Sequence, residues 1–198
     1  MSFLKFLAHA AFVTSNEMDG HSPILHGYSL KSVDYDVVDD ITVWLGSSMH
    51  DKFLEFLRAE QVGVYAYSVN SHQVVGHAWA IRNVAEETRT VNGYFPLPPH
   101  SALIHYCRVD ESRQGDGIFG EMLIHLIQQL LRQHVGIQRV YIDAATANRA
   151  SVKAISRVGF CRIGTLRMLQ YRGRYMLISS PFLLSNSRSG LRSWFTKP

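Results

Sequence analysis

The chain has 198 residues, of which 46% are hydrophobic and 18% are charged, the balance of an ordinary globular protein. This length suits one domain, since a single core grows comfortably to roughly 200 residues. The net charge of +4 favours a ligand that carries phosphates, but no Lys/Arg run is interleaved with aromatic residues, so we expect no nucleic-acid partner. No uncharged apolar run approaches the roughly 20 residues that span a bilayer, so we expect no membrane partner and a cytoplasmic protein.

The N-terminal half predicts a strand, helices and a hairpin. Residues 1–27 are interpreted as an N-terminal extension, because the apolar run at 6–13 is interrupted by His9 and has no convincing signal-peptide cleavage site after it. The remaining predictions are a strand at 28–33, helical periodicity at 35–45 and 49–60, and an alternating hairpin at 62–69 and 74–81. Residues 92–99, with three prolines in four positions, predict an extended connection.

The C-terminal half predicts alternating strands and helices. An apolar stripe of helical periodicity marks a helix at 117–133. The strands are expected at 102–109, 139–144, 160–169 and 175–180, with a second helix at 148–158. An α/β domain at 28–184 is therefore predicted, with a C-terminal tail at 185–198.

A glycine-rich segment, residues 109–120, joins a predicted strand to a predicted amphipathic helix. Glycines there let backbone N–H groups approach phosphate oxygens at a helix start. Gly115, Gly117 and Gly120 also fit the G-x-G-x-x-G pattern of dinucleotide-binding proteins, with Asp143 as the ribose-binding acid. Against a dinucleotide site, five polar residues separate Val109 from the first glycine. This segment alone also permits glycines that relieve packing and bind nothing.

Two motifs together resemble those of the GNAT acetyltransferase family. Gln114-x-x-Gly117 resembles that family's phosphate-binding loop, and Asn148 to Ser151 followed by Gly159-Phe160 resembles its next helix and strand. The resemblance covers roughly residues 73–180 and implies the GNAT acyl-CoA N-acyltransferase fold, a mixed central sheet of about six to seven strands flanked by helices. It also implies acetyl-CoA as co-substrate and no metal.

The resemblance implies roles for individual residues. Cys107 would offer its backbone N–H to the thioester carbonyl, and Val109 would pair with the pantetheine arm. Asn148 and Ser151 would contact that arm from the opposite side. The diphosphate would be held by the segment Gln114, Gly115, Asp116, Gly117, Ile118 and Phe119. Within it, Asp116 stands where a cation is common and Phe119 where a small residue is usual.

Candidates for proton transfer lie on the strand at 102–109. Period-two alternation places Leu103, His105, Cys107 and Val109 on one face, so His105 is either a general base or a wall of the acceptor pocket. A nucleophilic Cys107 is an alternative, although a thiol in an apolar strand is usually inert. The resemblance implies a tyrosine acid at a position that Ile155 occupies here. Ser151, Tyr106, Tyr171 or water are the candidates to replace that tyrosine as the general acid.

The sequence predicts an enzyme that transfers an acyl group, most simply acetyl, from acyl-CoA to a primary amine within a ternary complex. The acceptor is a small molecule or a protein, with aminosugars, protein N-termini and small amines all open and a weak analogy favouring a sugar amine. A non-catalytic module that binds acyl-CoA is the alternative from another class. Homodimerisation through the tail stays open, and no H-x-x-x-H or C-x-x-C spacing supports a metal.

Overall fold

A computed structural model describes residues 5–14, 27–134, 136–172 and 174–181. The predicted tail at 185–198 lies outside this range. The described strands are β1 (Lys5–Thr14), β2 (Tyr28–Val33), β3 (Val62–Ser68), β4 (Val74–Asn83), β5 (Arg89–Val91), β6 (Phe95–Leu97), β7 (Ser101–Val109), β8 (Arg139–Ala145), β9 (Cys161–Tyr171) and β10 (Arg174–Ser179). The helices are α1 (Thr42–Leu45), α2 (Ser47–Arg58), α3 (Ile118–Gln133) and α4 (Arg149–Arg157), with short 3-10 turns at Val38–Ile41 and Glu111–Arg113.

Eight strands form one mixed sheet in the order β10-β9-β1-β8-β7-β4-β3-β2. Every neighbouring pair is antiparallel except β7 and β8, which run parallel. The expected mixed α/β architecture is confirmed. The sheet has eight strands where six to seven were expected, and the strand that the sequence did not predict is β1.

Strand β1 lies in the middle of the sheet, between β8 and β9. Residues 1–27 were interpreted as an extension, whereas the structure places Lys5–Thr14 within the domain's central layer. Ala10, Ala11 and Phe12 are consecutive and all buried. A strand covered on both faces needs apolar residues at successive positions, so it lacks the alternation that identifies a half-exposed strand.

The proline-containing connection holds a small hairpin in place of a purely extended loop. Strands β5 and β6 pair antiparallel, and Phe95 and Leu97 are fully buried. Pro96 between them pairs with Thr90. This is compatible with its missing N–H because a strand in a two-stranded ribbon has one free edge. The hairpin covers part of the sheet on the side opposite α3.

Helix α3 packs its predicted apolar stripe on one face of the sheet. Met122, Leu126 and Leu130 are fully buried against a core that includes Ile104 and Ile142. On the other face, a second core under α1 and α2 surrounds Phe53 and Trp79, and a third under the β5–β6 hairpin surrounds Leu103 and Tyr141. In the described part of the chain, no helix is long and apolar enough to span a bilayer.

Candidate active site

The central cleft opens where β7 and β8 separate. Their parallel pairing ends at Ile104 and Ile142, although each strand continues beyond that pair. The cavity, about 1040 Å³, is bounded by the ends of both strands, the glycine loop and the first turns of α3 and α4. The predicted site residues that line it are His105, Cys107, Val109, Gln114, Gly115, Gly117, Ile118, Phe119, Asn148 and Ser151. The structure therefore brings together all but one of them, Asp116.

A β-bulge at Tyr106 changes which face of the sheet the β7 side chains occupy. Opposite β4, Trp79 pairs with His105 and His77 pairs with Arg108, so β7 carries one extra residue, and Tyr106 has a φ of +50°. The predicted alternation, which placed His105 and Cys107 on one face, is therefore wrong. His105 lies towards α2, whereas Cys107 and Val109 pack on the α3 side. The bulge reverses the phase of the strand.

His105 packs against α2 and against Gln61, which lies shortly after that helix ends. Its Nε2 lies 2.8 Å from Oε1 of Gln61, and its ring centroid is 5.4 Å from that of Phe56. Because a side-chain amide oxygen only accepts, Nε2–H is the donor and Nδ1 is left without the proton. Burial lowers the pKa of His105 to about 4. The imidazole is therefore neutral at pH 7 and weakly basic.

The thiol of Cys107 is suited to packing and not to nucleophilic attack. Its Sγ–H donates to the carbonyl oxygen of His105 at 3.4 Å. Although the residue borders the cleft, burial of the sulfur raises the pKa of Cys107 to about 12. Since the thiolate is the reactive form, the side chain is inert near neutral pH. Its peptide unit lies next to the bulge, beyond the end of the β7–β8 pairing.

The glycine loop adopts a conformation that requires glycine at two positions. Gly115 has a φ of +103° and Gly117, the N-cap of α3, a φ of +86°. The first N–H groups of a helix lack intrahelical partners. In α3 these groups belong to residues that line the cleft. Phe119, in the first turn of α3, packs its side chain against the core under that helix. A large residue is therefore accommodated at this position of the loop. Backbone donors and a helix start together suit an anion.

Asp116 has a different position from its neighbours in the loop. Its Oδ2 accepts a hydrogen bond of 2.5 Å from the Tyr28 hydroxyl at the start of β2, and the residue does not line the cleft. This bond raises the pKa of Tyr28. The carboxylate is directed at β2 and not into the cleft.

The start of α4 forms the wall opposite the glycine loop. Asn148 is the N-cap of this helix, and its Oδ1 accepts from the Ser151 N–H at 3.1 Å. Asn148 and Ser151 both line the cleft. Ile155, at the position where the resemblance implies a tyrosine, is fully buried in the core. Tyr106 borders the cleft, whereas Tyr171 does not.

Three residues that the sequence did not assign to catalysis meet beside the cleft. Asp143 lines the cleft, and its Oδ2 lies 2.5 Å from Nδ1 of His9 and 3.0 Å from the hydroxyl of Tyr94. Asp143 was considered only as a ribose-binding acid, and its engagement with His9 and Tyr94 argues against that role. The one sequence signal for His9 was that it interrupts an apolar run.

The charges around the cleft fit a phosphorylated co-substrate. The cations that line it are Arg108, Arg113, Lys153 and Arg157, and the anions are Glu111, Glu121 and Asp143. The cavity reaches the start of α3, whose first backbone N–H groups can donate to an anion. Among the described residues, no group of three or more His, Cys, Asp or Glu side chains is placed to hold a metal ion.

A mixed sheet whose parallel strands part over a glycine-rich helix start is an acetyltransferase type of fold. The family model described as "Acetyltransferase (GNAT) family" matches residues 31–160, which is more than half of the chain. The chain therefore belongs to the GNAT family, which confirms the resemblance. No curated protein matches it.

Solved structures agree on the fold. An acetyltransferase from Colwellia psychrerythraea is similar with a TM-score of 0.59 and 13% identity, over 85% of this chain and 56% of that one. An N-acetyltransferase from Sphaerobacter thermophilus gives a TM-score of 0.56 and 12% identity, over 89% and 54%. A glucosamine N-acetyltransferase region of a fungal multi-domain β-N-acetylglucosaminidase gives 0.56 and 14%, over 86% and 21%. The chain thus spans about half the length of the first two, and the likeness concerns the fold alone.

Proposed function

We propose that this protein transfers an acetyl group from acetyl-CoA to a primary amine by direct attack in a ternary complex. The observation that carries the proposal is the cleft between β7 and β8, which joins an anion-binding helix start to the bulge at Tyr106. In this proposal, the diphosphate lies at one end of the cavity of about 1040 Å³ and the thioester lies at the other.

In this proposal, backbone groups perform most of the binding. The N–H groups of the glycine loop and of the first turn of α3 hold the diphosphate, and Val109 pairs with the pantetheine arm. Asn148 and Ser151 contact the arm from α4. The Cys107 N–H donates to the thioester oxygen as negative charge develops there, which is the contribution of an oxyanion hole.

The chemistry requires two proton transfers. The acceptor ammonium loses one proton before its nitrogen attacks the carbonyl carbon, and it loses the second as the C–S bond breaks and the electron pair leaves with sulfur. The second proton neutralises the thiolate to give CoA, and the first is released to solvent. His105 or a water molecule is the candidate that the sequence predicts for the first proton.

An aminosugar is the proposed class of acceptor. The support is a likeness of fold to the fungal glucosamine N-acetyltransferase region. Small alkylamines and protein N-termini are the alternatives to be tested beside it.

The test has two stages. Thermal unfolding is followed with acetyl-CoA, a longer acyl-CoA and NAD in parallel, because a ligand that binds only the native state raises the midpoint. CoA release is then followed with a thiol reagent in the presence of glucosamine, lysine methyl ester or methylamine. We expect stabilisation by acetyl-CoA and amine-dependent release of CoA. Stabilisation without release for any amine would favour a non-catalytic acyl-CoA module, and stabilisation by NAD alone would contradict the proposal.

A further inference from the structure

Asp143 lies at the apex of the cleft. Pairing between β7 and β8 ends at Ile104 and Ile142, so His105 and Asp143 are the first residue on each strand beyond it. Both pack on the sheet face opposite α3, since Ile104 and Ile142 belong to the α3 core. The Asp143 side chain is only 5% exposed and yet borders the cleft. A carboxylate at this position faces the point where the thioester would end.

Two other elements hold this carboxylate by the same oxygen. His9 comes from β1 and Tyr94 from the β5–β6 connection, and both contact Oδ2, at 2.5 and 3.0 Å. Their rings meet edge to face at a centroid distance of 5.7 Å. Among the described residues, Oδ1 of Asp143 has no hydrogen-bond partner. One oxygen is thus fixed by the protein and the other is left for a ligand.

A nearly buried carboxylate is unfavourable unless positive charge or hydrogen bonds compensate it. The titratable groups around Asp143 and His9 are Tyr94, His105 across the cleft, Cys107, and Tyr175, whose ring centroid is 5.2 Å from that of Tyr94. None of these carries a fixed positive charge. His9, whose side chain is 22% exposed, places Nδ1 of its imidazole directly against the carboxylate.

We propose that Asp143 receives the ammonium group of the amine acceptor, and that this carboxylate, held in place by His9, takes the first proton that the acceptor loses. This inference rests on the proposed function and specifies its acceptor as a cationic amine. Asp143 contacts the ammonium through Oδ1, while His9 and Tyr94 are positioning residues that hold Oδ2. The proton passes from the ammonium to Oδ1 of Asp143, stays there while the N–C bond forms and the C–S bond breaks, and returns to solvent after CoA leaves.

His105 is the less suitable group for this proton. Its ring is turned to Gln61 on the α2 side, and burial keeps it neutral and weakly basic. Asp143 brings a carboxylate to the lining of the cleft, whereas the described hydrogen-bond partner of His105 is the side-chain amide of Gln61. His105 therefore acts as a wall of the acceptor pocket.

The test compares two acceptors of the same size, methylamine and hydroxylamine. Methylamine is protonated at neutral pH and needs a base, whereas hydroxylamine is uncharged there and does not. CoA release is measured with acetyl-CoA for wild type, Asp143→Asn, His9→Gln and Tyr94→Phe, after subtraction of the enzyme-free rate. We expect Asp143→Asn to lower the methylamine rate roughly 100-fold, with a far smaller loss for hydroxylamine. His9→Gln should change the ratio of the two rates in the same direction.

Asp40→Asn is the matched control, because Asp40 also accepts from a tyrosine, the Tyr67 hydroxyl at 2.6 Å, but lies outside the cleft. This variant should leave the ratio of rates unchanged. Stabilisation by acetyl-CoA should be retained in every variant. Equal losses for both acceptors, or no loss in Asp143→Asn, would overturn the proposed role of Asp143 but not the proposed acyl transfer. No release by wild type with any amine would instead count against the proposed transfer, and the inference would fail with it.

Discussion

The Tyr28 hydroxyl donates to Oδ2 of Asp116 at 2.5 Å, which connects the start of β2 to the glycine loop 88 residues later. This bond holds a negative charge away from the site proposed for the diphosphate. Tyr28→Phe should therefore weaken acetyl-CoA binding several-fold, because the carboxylate becomes free to turn towards the phosphates. Isothermal titration of acetyl-CoA measures the change.

Asp116→Asn supplies the control for this prediction. Removal of the charge should leave affinity unchanged or raise it, and the double variant with Tyr28→Phe should bind like Asp116→Asn alone. If Tyr28→Phe weakened binding equally in both backgrounds, Tyr28 would act independently of Asp116.

Gly117 is expected to be essential for binding of acetyl-CoA. Its φ of +86° at the N-cap of α3 is unfavourable for a β-branched residue, and any side chain there stands beside the cleft. Gly117→Val should abolish the rise in unfolding temperature that acetyl-CoA causes. Gly46→Val is the control, since Gly46 has a φ of +78° outside the cleft. It should destabilise the protein but keep the ligand-induced rise; loss of the rise in both variants would show only a general effect of strain.

Because His77 is buried, we expect the protein to lose stability in acid. It is 2% exposed beneath Phe53 and Tyr106, and burial lowers its pKa to about 4 from an ordinary value of 6.5. Between these pH values the unfolded chain binds more protons than the folded one, so the free energy of unfolding falls as pH falls from 6.5 to 4. The loss from this residue reaches about 3 kcal/mol near pH 4.

Urea unfolding of His77→Phe at pH 7.5 and at pH 4.5 measures this contribution. The variant should lose less stability between the two pH values than wild type. A matched change at the exposed His72, His72→Asn, should leave the difference as it is in wild type. If His77→Phe retained the full acid sensitivity, another group would be responsible.

The two cysteines should differ in reactivity. Cys161 is exposed, whereas burial raises the pKa of Cys107 to about 12. Iodoacetamide at pH 8 should add a single label to the folded protein, and Cys161→Ser should prevent it, as mass spectrometry would show. Because the proposed role of Cys107 belongs to its backbone, Cys107→Ser should keep amine-dependent CoA release. Loss of release with intact acetyl-CoA binding would instead indicate a role for the thiol.

Deletion of residues 1–27 should unfold the domain, although the family match begins only at residue 31. Strand β1 pairs with β8 on one side and β9 on the other, so its removal separates these two strands. Circular dichroism should show loss of the cooperative thermal transition. Deletion of residues 1–4 is the control and should preserve that transition.

The sequence predicted the parts of this molecule that depend on local chemistry. The glycines at 115 and 117 need positive φ, so residue type located the glycine loop. The opposite wall, with its Asn148 cap, was located by the resemblance to the GNAT family. The α3 stripe was evident because a helix with one covered face repeats every 3.6 residues.

The features that the sequence did not reveal depend on contacts between distant parts of the chain. His9 and Asp143 are 134 residues apart, and no spacing rule connects them. The bulge at Tyr106 is set by the pairing of β7 with β4, and it reversed the face assigned to His105. A strand buried on both faces, such as β1, has no periodic signature to distinguish it from a random apolar run.

The central position of β1 also determines the order in which the sheet is completed. Strand β1 cannot form its pairs in the sheet until residues 139–171, which form β8, α4 and β9, have been synthesised. Its apolar segment therefore stays unpaired while the intervening residues are made, which is the situation in which chaperones bind. Contacts of such long sequence separation slow folding. Since His9 lies on this strand, the proposed acceptor site is assembled in the same late step as the sheet itself.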